Sequence, residues 1–408
     1  MKKNLLLIIG DYPISVNSYG GASALIHNHL ELLHKADWNI YLLVVDEQIK
    51  PSSFLKFTSS NPVEWNQVKE MITQYNFLSL QRKRSKRNKI WNSLLSLYSP
   101  KSYLFSTLIG ENLNKIYSII SNERISLIWS EHLLPTLLVE SIKNRVPIIY
   151  SHHDWEYKLE GHRTPNLTLI KKYRRLLKKR IEYNLVRNVE GVISGSKAES
   201  NEFAKLGAKR ILYLPAFYSI RKPLTSDVDL LEPRIVHLGG FLATANRIGM
   251  QRFIDVCWQN LESNYIKKEN FLIIGSLEGA SKDQGKVLQE IATCLGFVDD
   301  LSTVLRPYDI HIVPWEHNTG TRTRLPIALG YKQVIVSTKA AASCLPELIH
   351  NENCILVDEL SLMSKEIINL YEDSEFRMKI GDNARKTYEE NFTINSNQKK
   401  FNKFLSSF

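Results

Sequence analysis

Two arginines one residue apart, Arg322 and Arg324, close the run Trp315-Glu316-His317-Asn318-Thr319-Gly320-Thr321-Arg322-Thr323-Arg324. Guanidinium groups so spaced can grip an oxyanion through charge-assisted hydrogen bonds, and a glycine such as Gly320 lets backbone N–H groups come close to it. Diphosphate is the ligand that suits this chemistry. Glu316, His317 and Thr319 share the loop. A solvated basic turn is the competing explanation. A second candidate cluster is His152-His153-Asp154. Imidazole titrates near neutral pH, which suits it to proton transfer, and a nearby carboxylate, Asp154 or Glu156, can orient it. Glycine pairs at Gly20-Gly21 and Gly239-Gly240, the latter shortly before Asn246, offer further places where backbone donors can approach phosphate.

These groups need strands and helices to hold them. Short aliphatic runs predict strands at 5–9, 40–45, 127–129, 148–151, 191–194 and 211–214, and a second set at 235–238, 271–275, 310–314, 334–337 and 355–357. Amphipathic helical patterns intervene, among them 22–35, 246–260 and 282–295. Continuous apolar strands alternating with helices indicate parallel sheets covered on both faces, and two sets indicate two domains. The segment 217–233, with Pro223 and Pro233, is the expected hinge. The arginine loop then lies at the carboxyl end of its strand, where such sheets collect ligands, with a helix expected from about Arg322 to Tyr331.

The remaining composition narrows the class. The apolar run after Met1-Lys2-Lys3 is too short for a signal peptide and reads as a first strand, and no stretch is long enough to cross a bilayer. Cys257, Cys294, Cys344 and Cys354 show no metal-ligand spacing and are expected as reduced thiols in a cytoplasmic protein. No Gly-x-Gly-x-x-Gly turn follows the first strand, so a dehydrogenase-type dinucleotide site has no support. Residues 1–220 carry 31 Lys and Arg against 18 Asp and Glu, while the remainder carries 22 against 24. The surplus is concentrated in Arg82-Lys83-Arg84-Ser85-Lys86-Arg87-Asn88-Lys89 and in 171–180, where Ile170, Tyr173, Leu176, Leu177 and Ile181 recur at helical spacing opposite the cations. A merely solvated face explains such runs as readily as attraction to anionic lipid or a phosphorylated acceptor. Nothing accompanies them that would indicate nucleic-acid binding.

Several motifs together resemble the group 1 glycosyltransferases, the family 4 type. Val298-Asp299-Asp300-Leu301, Tyr308-Asp309-Ile310, Val313-Pro314, Gly320-Thr321-Arg322-Thr323-Arg324, Ala328-Leu329 and Val334-Ile335-Val336-Ser337-Thr338 follow that family's donor-binding order. The likeness continues through Glu352-Asn353-Cys354-Ile355-Leu356-Val357-Asp358 and, upstream, through Gly239-Gly240-Phe241 with Asn246. In the first half Tyr12-Pro13, Gly20-Gly21, Val146-Pro147 with His153 and Glu156, and Val192-Ile193-Ser194-Gly195-Ser196 with Glu199 are similar to the family's pattern. The family's two glutamates flanking the loop are not matched: Thr319 and Ile327 stand at those places, or Asn318 and Pro326 after a one-residue slip, and neither pair offers a carboxylate.

The resemblance implies an α/β protein of GT-B type, two doubly wound Rossmann-like domains facing each other across a cleft. Residues 1–220 would bind the acceptor and 221–408 the nucleotide sugar, with a last helix at about 388–408 crossing back. It implies transfer of a sugar from a UDP or GDP sugar to a glycan or lipid-linked acceptor, retaining and metal-independent, in surface polysaccharide assembly. His153 would lie beside the donor sugar, with Asp154 near it, Arg322 and Arg324 on the leaving diphosphate, and Gly20, Gly21, Gly239, Gly240, Asn246, Glu316, His317, Thr319 and Gly320 lining the donor site. No cofactor beyond the donor is expected. The basic first domain gives such a protein a way to sit at the inner face of a membrane. The alternative is a catalytically silent GT-B protein that binds a glycan or supports a partner transferase.

Overall fold

A computed structural model describes residues 2–15, 20–47, 51–80, 110–142, 146–163, 168–220, 232–262 and 266–408. The basic run 82–89 and most of the expected hinge lie outside these. The chain forms two compact units, one of Met1–Gly195, Glu199–Leu214 and Gln398–Phe408, the other of Ser196–Ala198 and Pro215–Asn397. The break therefore precedes the expected 220/221. The reason is that residues 218–220 hydrogen-bond within the second unit, Tyr218 N–H to the Phe392 carbonyl (3.2 Å) and Ile220 N–H to the Tyr388 hydroxyl (2.9 Å).

The first unit is built on seven parallel strands: β1 (Asn4–Gly10), β2 (Asn39–Asp46), β3 (Gln74–Ser79), β4 (Leu127–Glu131), β5 (Ile148–His152), β6 (Gly191–Ser194) and β7 (Ile211–Tyr213). Their order is β3-β2-β1-β4-β5-β6-β7. The second unit has six: β8 (Ile235–Leu238), β9 (Phe271–Ile274), β10 (Thr293–Gly296), β11 (Ile310–Val313), β12 (Val334–Thr338) and β13 (Ile355–Val357), in the order β10-β9-β8-β11-β12-β13. In both sheets strand order reverses direction once, between β1 and β4 and between β8 and β11. Crevices at the carboxyl ends of such strand pairs are where open α/β sheets bind ligands.

The central strands bury almost every side chain, because helices cover both sheet faces. Each Leu, Ile or Val so covered contributes about 1.5–3 kcal/mol. The two strands missing from the sequence reading, β3 and β10, are both sheet edges. Gln74 and Tyr75 are exposed and Asn76 half-buried in β3, while β10 carries an exposed Leu295, so neither shows a continuous apolar run. β10 also ends the preceding helix at Ile291, short of the expected 295.

The last residues complete the first unit. Phe401, in the helix Ile394–Leu405, is fully buried with its ring 5.4 Å from that of Trp129 on β4. Gly191 on β6 makes room for the rings that follow, since a Cβ there would stand 2.9 Å from Phe404 and 2.7 Å from Phe408.

The basic helix Leu169–Asn188 departs from its expected amphipathic packing. Only its second half is anchored, through Ile181, Leu185 and Val186. Leu169, Ile170, Tyr173 and Leu176 are exposed alongside Lys171, Lys172 and Arg180. The cysteines are free, three of them buried. Among the described residues no helix is long and apolar enough to cross a membrane.

Candidate active site

The second unit places a pocket at the carboxyl ends of β8 and β11, the point where strand order reverses. His237 of β8, Asn246 of the helix Thr244–Phe253, Trp315 after β11, and Arg322 and Arg324 line it. Three local devices shape it. Gly249 lets its helix approach the loop after β11, since a Cβ there would sit 2.5 Å from the Pro314 carbonyl oxygen. The Thr338 hydroxyl at the end of β12 donates to the Trp315 carbonyl. The Asn246 side chain donates to the Gly240 carbonyl at 2.7 Å, tying the turn after β8 to the helix start.

Arg322 and Arg324 do not lie in the helix, as the sequence pattern led us to expect. The helix is Leu325–Gly330, with Pro326 in its first turn. Proline has no N–H to donate and is tolerated there, whereas a helix from Arg322 would place it in the interior. The approach is an irregular turn with positive φ at Gly320 (84°) and at Arg322 (44°). A non-glycine residue in that region is uncommon and tends to mark functional turns.

The turn lays the Arg324 guanidinium across Gly239. Its Nη1 donates to the Leu238 carbonyl, and a Cβ on Gly239 would overlap the guanidinium at 2.1 Å. This alters the reading of Gly239: its own N–H donates to the Ile274 carbonyl (2.6 Å), so what it provides is space for Arg324. Arg322 donates to the Thr319 carbonyl and stands over the Trp315 ring, 5.5 Å from its centre.

The charge balance is the central feature. Burial, and then Arg322 beside it, push the Arg324 guanidinium down to about 10, still cationic at neutral pH. Among the described residues no carboxylate forms an ion pair with Arg324. At the opposite end of the same strands the arrangement differs: Arg234 binds Asp309 through Nε (3.0 Å) and Nη2 (2.5 Å), with Arg306 at 3.2 Å from the same carboxylate. Beneath Arg324, burial and the cation hold His237 well below its ordinary range. Burial, together with Arg324, brings His311 to about 4. Both imidazoles are therefore neutral, and the positive charge resides in the guanidiniums. Tyr218, which sequence reasoning did not single out, stands beside Arg324 and Thr323, kept protonated by burial with its pKa pushed up to about 12.

Other loop residues fall outside the pocket lining. Glu316 is exposed and paired with Arg252 Nε (3.1 Å). His317 is exposed with its ring edge on Trp315 (4.7 Å). Thr319 is buried, and Ile327 packs against an apolar cluster containing Val236, Leu272 and Ile274. The carboxylates of the family pattern thus have no substitute from either position.

The first unit gathers its histidines at the carboxyl ends of β4 and β5. His153 Nε2 lies 2.7 Å from Glu131 Oε2, and His29 Nδ1 lies 2.8 Å from Oε1, which also accepts from Trp129 Nε1 (2.7 Å). Sequence reasoning assigned the orienting carboxylate to Asp154 or Glu156. The structure gives that place to Glu131, while Glu156 binds Lys178 (2.9 Å) and Asp154 makes no hydrogen bond to the His153 ring. The missed signal was an acid closing the otherwise uncharged run Leu127-Ile128-Trp129-Ser130. Burial opposes ionisation of Glu131, but the two imidazoles outweigh it and hold the carboxyl well below its usual range. His152 faces elsewhere, 3.2 Å from Glu199. Gly20 and Gly21 begin the helix Gly21–Lys35 without a side-chain cap. Gly20 has φ −38°, so the positive φ that paired glycines permit is not used there; among the described residues no atom lies within 4 Å of where a Cβ would stand.

Known proteins resemble this chain in part of its sequence and in its fold. Residues 232–373 match the family model described as "Glycosyl transferases group 1". No curated protein matches the chain in sequence. Sucrose-phosphate synthase from Thermosynechococcus elongatus aligns with 100% of this chain and 99% of its own, at 13% identity and a TM-score of 0.69. Anabaena HepE in complex with UDP aligns over 100% of both chains at 17% identity and 0.67. S. aureus TarM, in a complex containing UDP and alpha-GlcNAc-glycerol, aligns over 98% and 99% at 11% identity and 0.64. At these identities the structural likeness is one of fold. The second unit thus carries the sequence signature of that family over residues 232–373, and the chain over its full length has a GT-B fold.

Proposed function

We propose that this protein transfers a sugar from a nucleoside-diphosphate sugar, with UDP or GDP as the nucleotide, to a glycan or lipid-linked acceptor, retaining the anomeric configuration and needing no metal ion. The observation that carries it is the Arg324 guanidinium, held at the switch point of the sheet without a carboxylate partner among the described residues. A buried cation without a counterion is costly, and a diphosphate would supply the missing charge. As the bond from the anomeric carbon to phosphate breaks, negative charge grows on the leaving diphosphate, where Arg324 and Arg322 offset it. The acceptor oxygen forms the new bond, and its proton passes to a phosphate oxygen on the same face, which yields retention. UDP is the first nucleotide to try, since HepE and TarM were solved with it.

Thermal melting with UDP, GDP, CMP and their sugars tests this reading. A ligand at about a hundred times its Kd stabilises the fold by roughly 2.7 kcal/mol. Stabilisation by a nucleotide diphosphate in the wild type and its loss in Arg324→Ala are the expected results. A wild type indifferent to every nucleotide overturns the proposal, and loss of turnover on chelation of divalent metals overturns its metal-free part.

For the acceptor, the exposed apolar residues Leu169 (83% exposed), Ile170 (62%) and Leu176 (63%) beside Lys171, Lys172 and Arg180 support approach to an anionic membrane surface, in keeping with surface polysaccharide assembly. Vesicles containing anionic lipid should retain the protein and neutral vesicles should not; equal retention by both removes the electrostatic part of this reading.

A further inference from the structure

The hydrogen bonds around Glu131 fix more than the position of His153. Glu131 is fully buried, and the Trp129 indole N–H can only donate, so Oε1 is an acceptor. With the carboxyl ionised, Oε2 must also accept, which requires the proton of the His153 ring to be on Nε2. The His153 ring is almost entirely buried, and burial disfavours its cationic form. Its Nδ1 is then an unprotonated lone pair, and this atom is buried with no hydrogen-bond partner.

The neighbours keep the ring from turning. His132 stacks on it with centres 3.7 Å apart and planes 19° from parallel, and Tyr12 stacks on the outer face of His132 at 4.4 Å and 5°. His132 reaches this place through φ 67° and ψ 168°, a region that is almost only glycine's. Its backbone is held there by its N–H donating to the Ser151 carbonyl (3.1 Å) and by its carbonyl accepting from the Thr136 hydroxyl (2.6 Å). Burial, with the neighbouring His153, keeps His132 itself well below the ordinary histidine range, so the stack carries no charge to compete for Glu131.

We infer that Glu131 is a positioning residue that fixes His153 as its Nε2–H tautomer, leaving Nδ1 to accept a hydrogen bond from a sugar hydroxyl. The hydroxyl ligand rests on the transferase reading above; the tautomer does not. Glu131→Gln makes the test specific. Glutamine is nearly isosteric, yet its amide can donate to Nε2 and so release the ring to carry its proton on Nδ1.

The experiment is nitrogen NMR of histidine-labelled protein at pH 8, with the His153 signals assigned by their loss in His153→Asn. The wild type should show a protonated Nε2 and a bare Nδ1, and Glu131→Gln should move population toward the Nδ1–H form. In the same variant kcat should fall by about a hundredfold, with the donor KM changed much less, the pattern of a lost proton-accepting contact. A wild-type ring protonated on Nδ1 overturns the inference, as does full activity in Glu131→Gln with the tautomer shifted. If no sugar transfer can be measured, the transferase reading fails, while the NMR result still decides the tautomer.

Discussion

The two units treat buried charge in opposite ways. In the first, Glu131 is fully enclosed and three donors converge on it, so the charge is balanced by the fold itself. In the second, Arg324 lies against a backbone carbonyl and a glycine, and the group nearest in kind to it is another guanidinium. The same sheet has a carboxylate to spare for Arg234 and Arg306 at its other end. The contrast separates a charge that orients its neighbours from one left without a counterion by the described residues, and it supports the anion site proposed for the second unit.

Removing each charge should therefore have opposite consequences. Glu131→Ala leaves the two imidazoles and the indole without their acceptor and should cost about 3–5 kcal/mol in urea unfolding, as loss of one member of a buried charged network does. Arg324→Ala should change stability by less than about 1 kcal/mol, because it removes a cation that the fold does not compensate, yet reduce transfer by roughly 100–1,000-fold. Comparable destabilisation by the two variants would break the distinction.

Acid should sharpen the comparison further. His311 has a folded-state pKa of about 4, below its ordinary value, so the unfolded chain takes up its proton first. Its contribution is complete above about pH 6.5 and disappears as pH falls toward 4, a loss of about 3 kcal/mol from the second unit. Glu182 of the first unit behaves in the reverse sense. Burial raises it to about 7, so its contribution is present at low pH and is lost as pH rises through 7. Hydrogen exchange resolved by strand should show His311→Gln flattening the acid loss of β11 and Glu182→Gln making that of β5 and β6 steeper. Unchanged slopes in both variants would show that these groups do not govern the pH response.

What could be read from the sequence depended on whether the deciding partners were neighbours along it. The central strands were legible because burial on both faces leaves continuous aliphatic runs; β3 and β10, half in solvent, left none. The cationic turn was legible since Gly320, Arg322 and Arg324 stand together, although Pro326 should have moved the helix start to Leu325. Glu131 was not, because the groups that give it meaning, His29 and His153, lie 102 and 22 residues away. Gly239 was recognised as a close approach, but the approaching group proved to be a side chain from 85 residues on, which only the folded sheet brings into place. The basic helix misled for a related reason: helical spacing reveals an apolar stripe, but not how far the core extends beneath it.

The pairing of Trp129 with Phe401 also bears on biosynthesis. A ribosome finishes β1 to β7 long before it reaches residues 398–408, and residues 215–397 of the second unit are made in between. Throughout that interval the Trp129 ring lacks Phe401 and the backbone at Gly191 lacks Phe404 and Phe408. The unit begun first is thus the last to close, and a transcript cut short before Phe401 would yield a sticky, incomplete product for the cell's chaperones and proteases to clear.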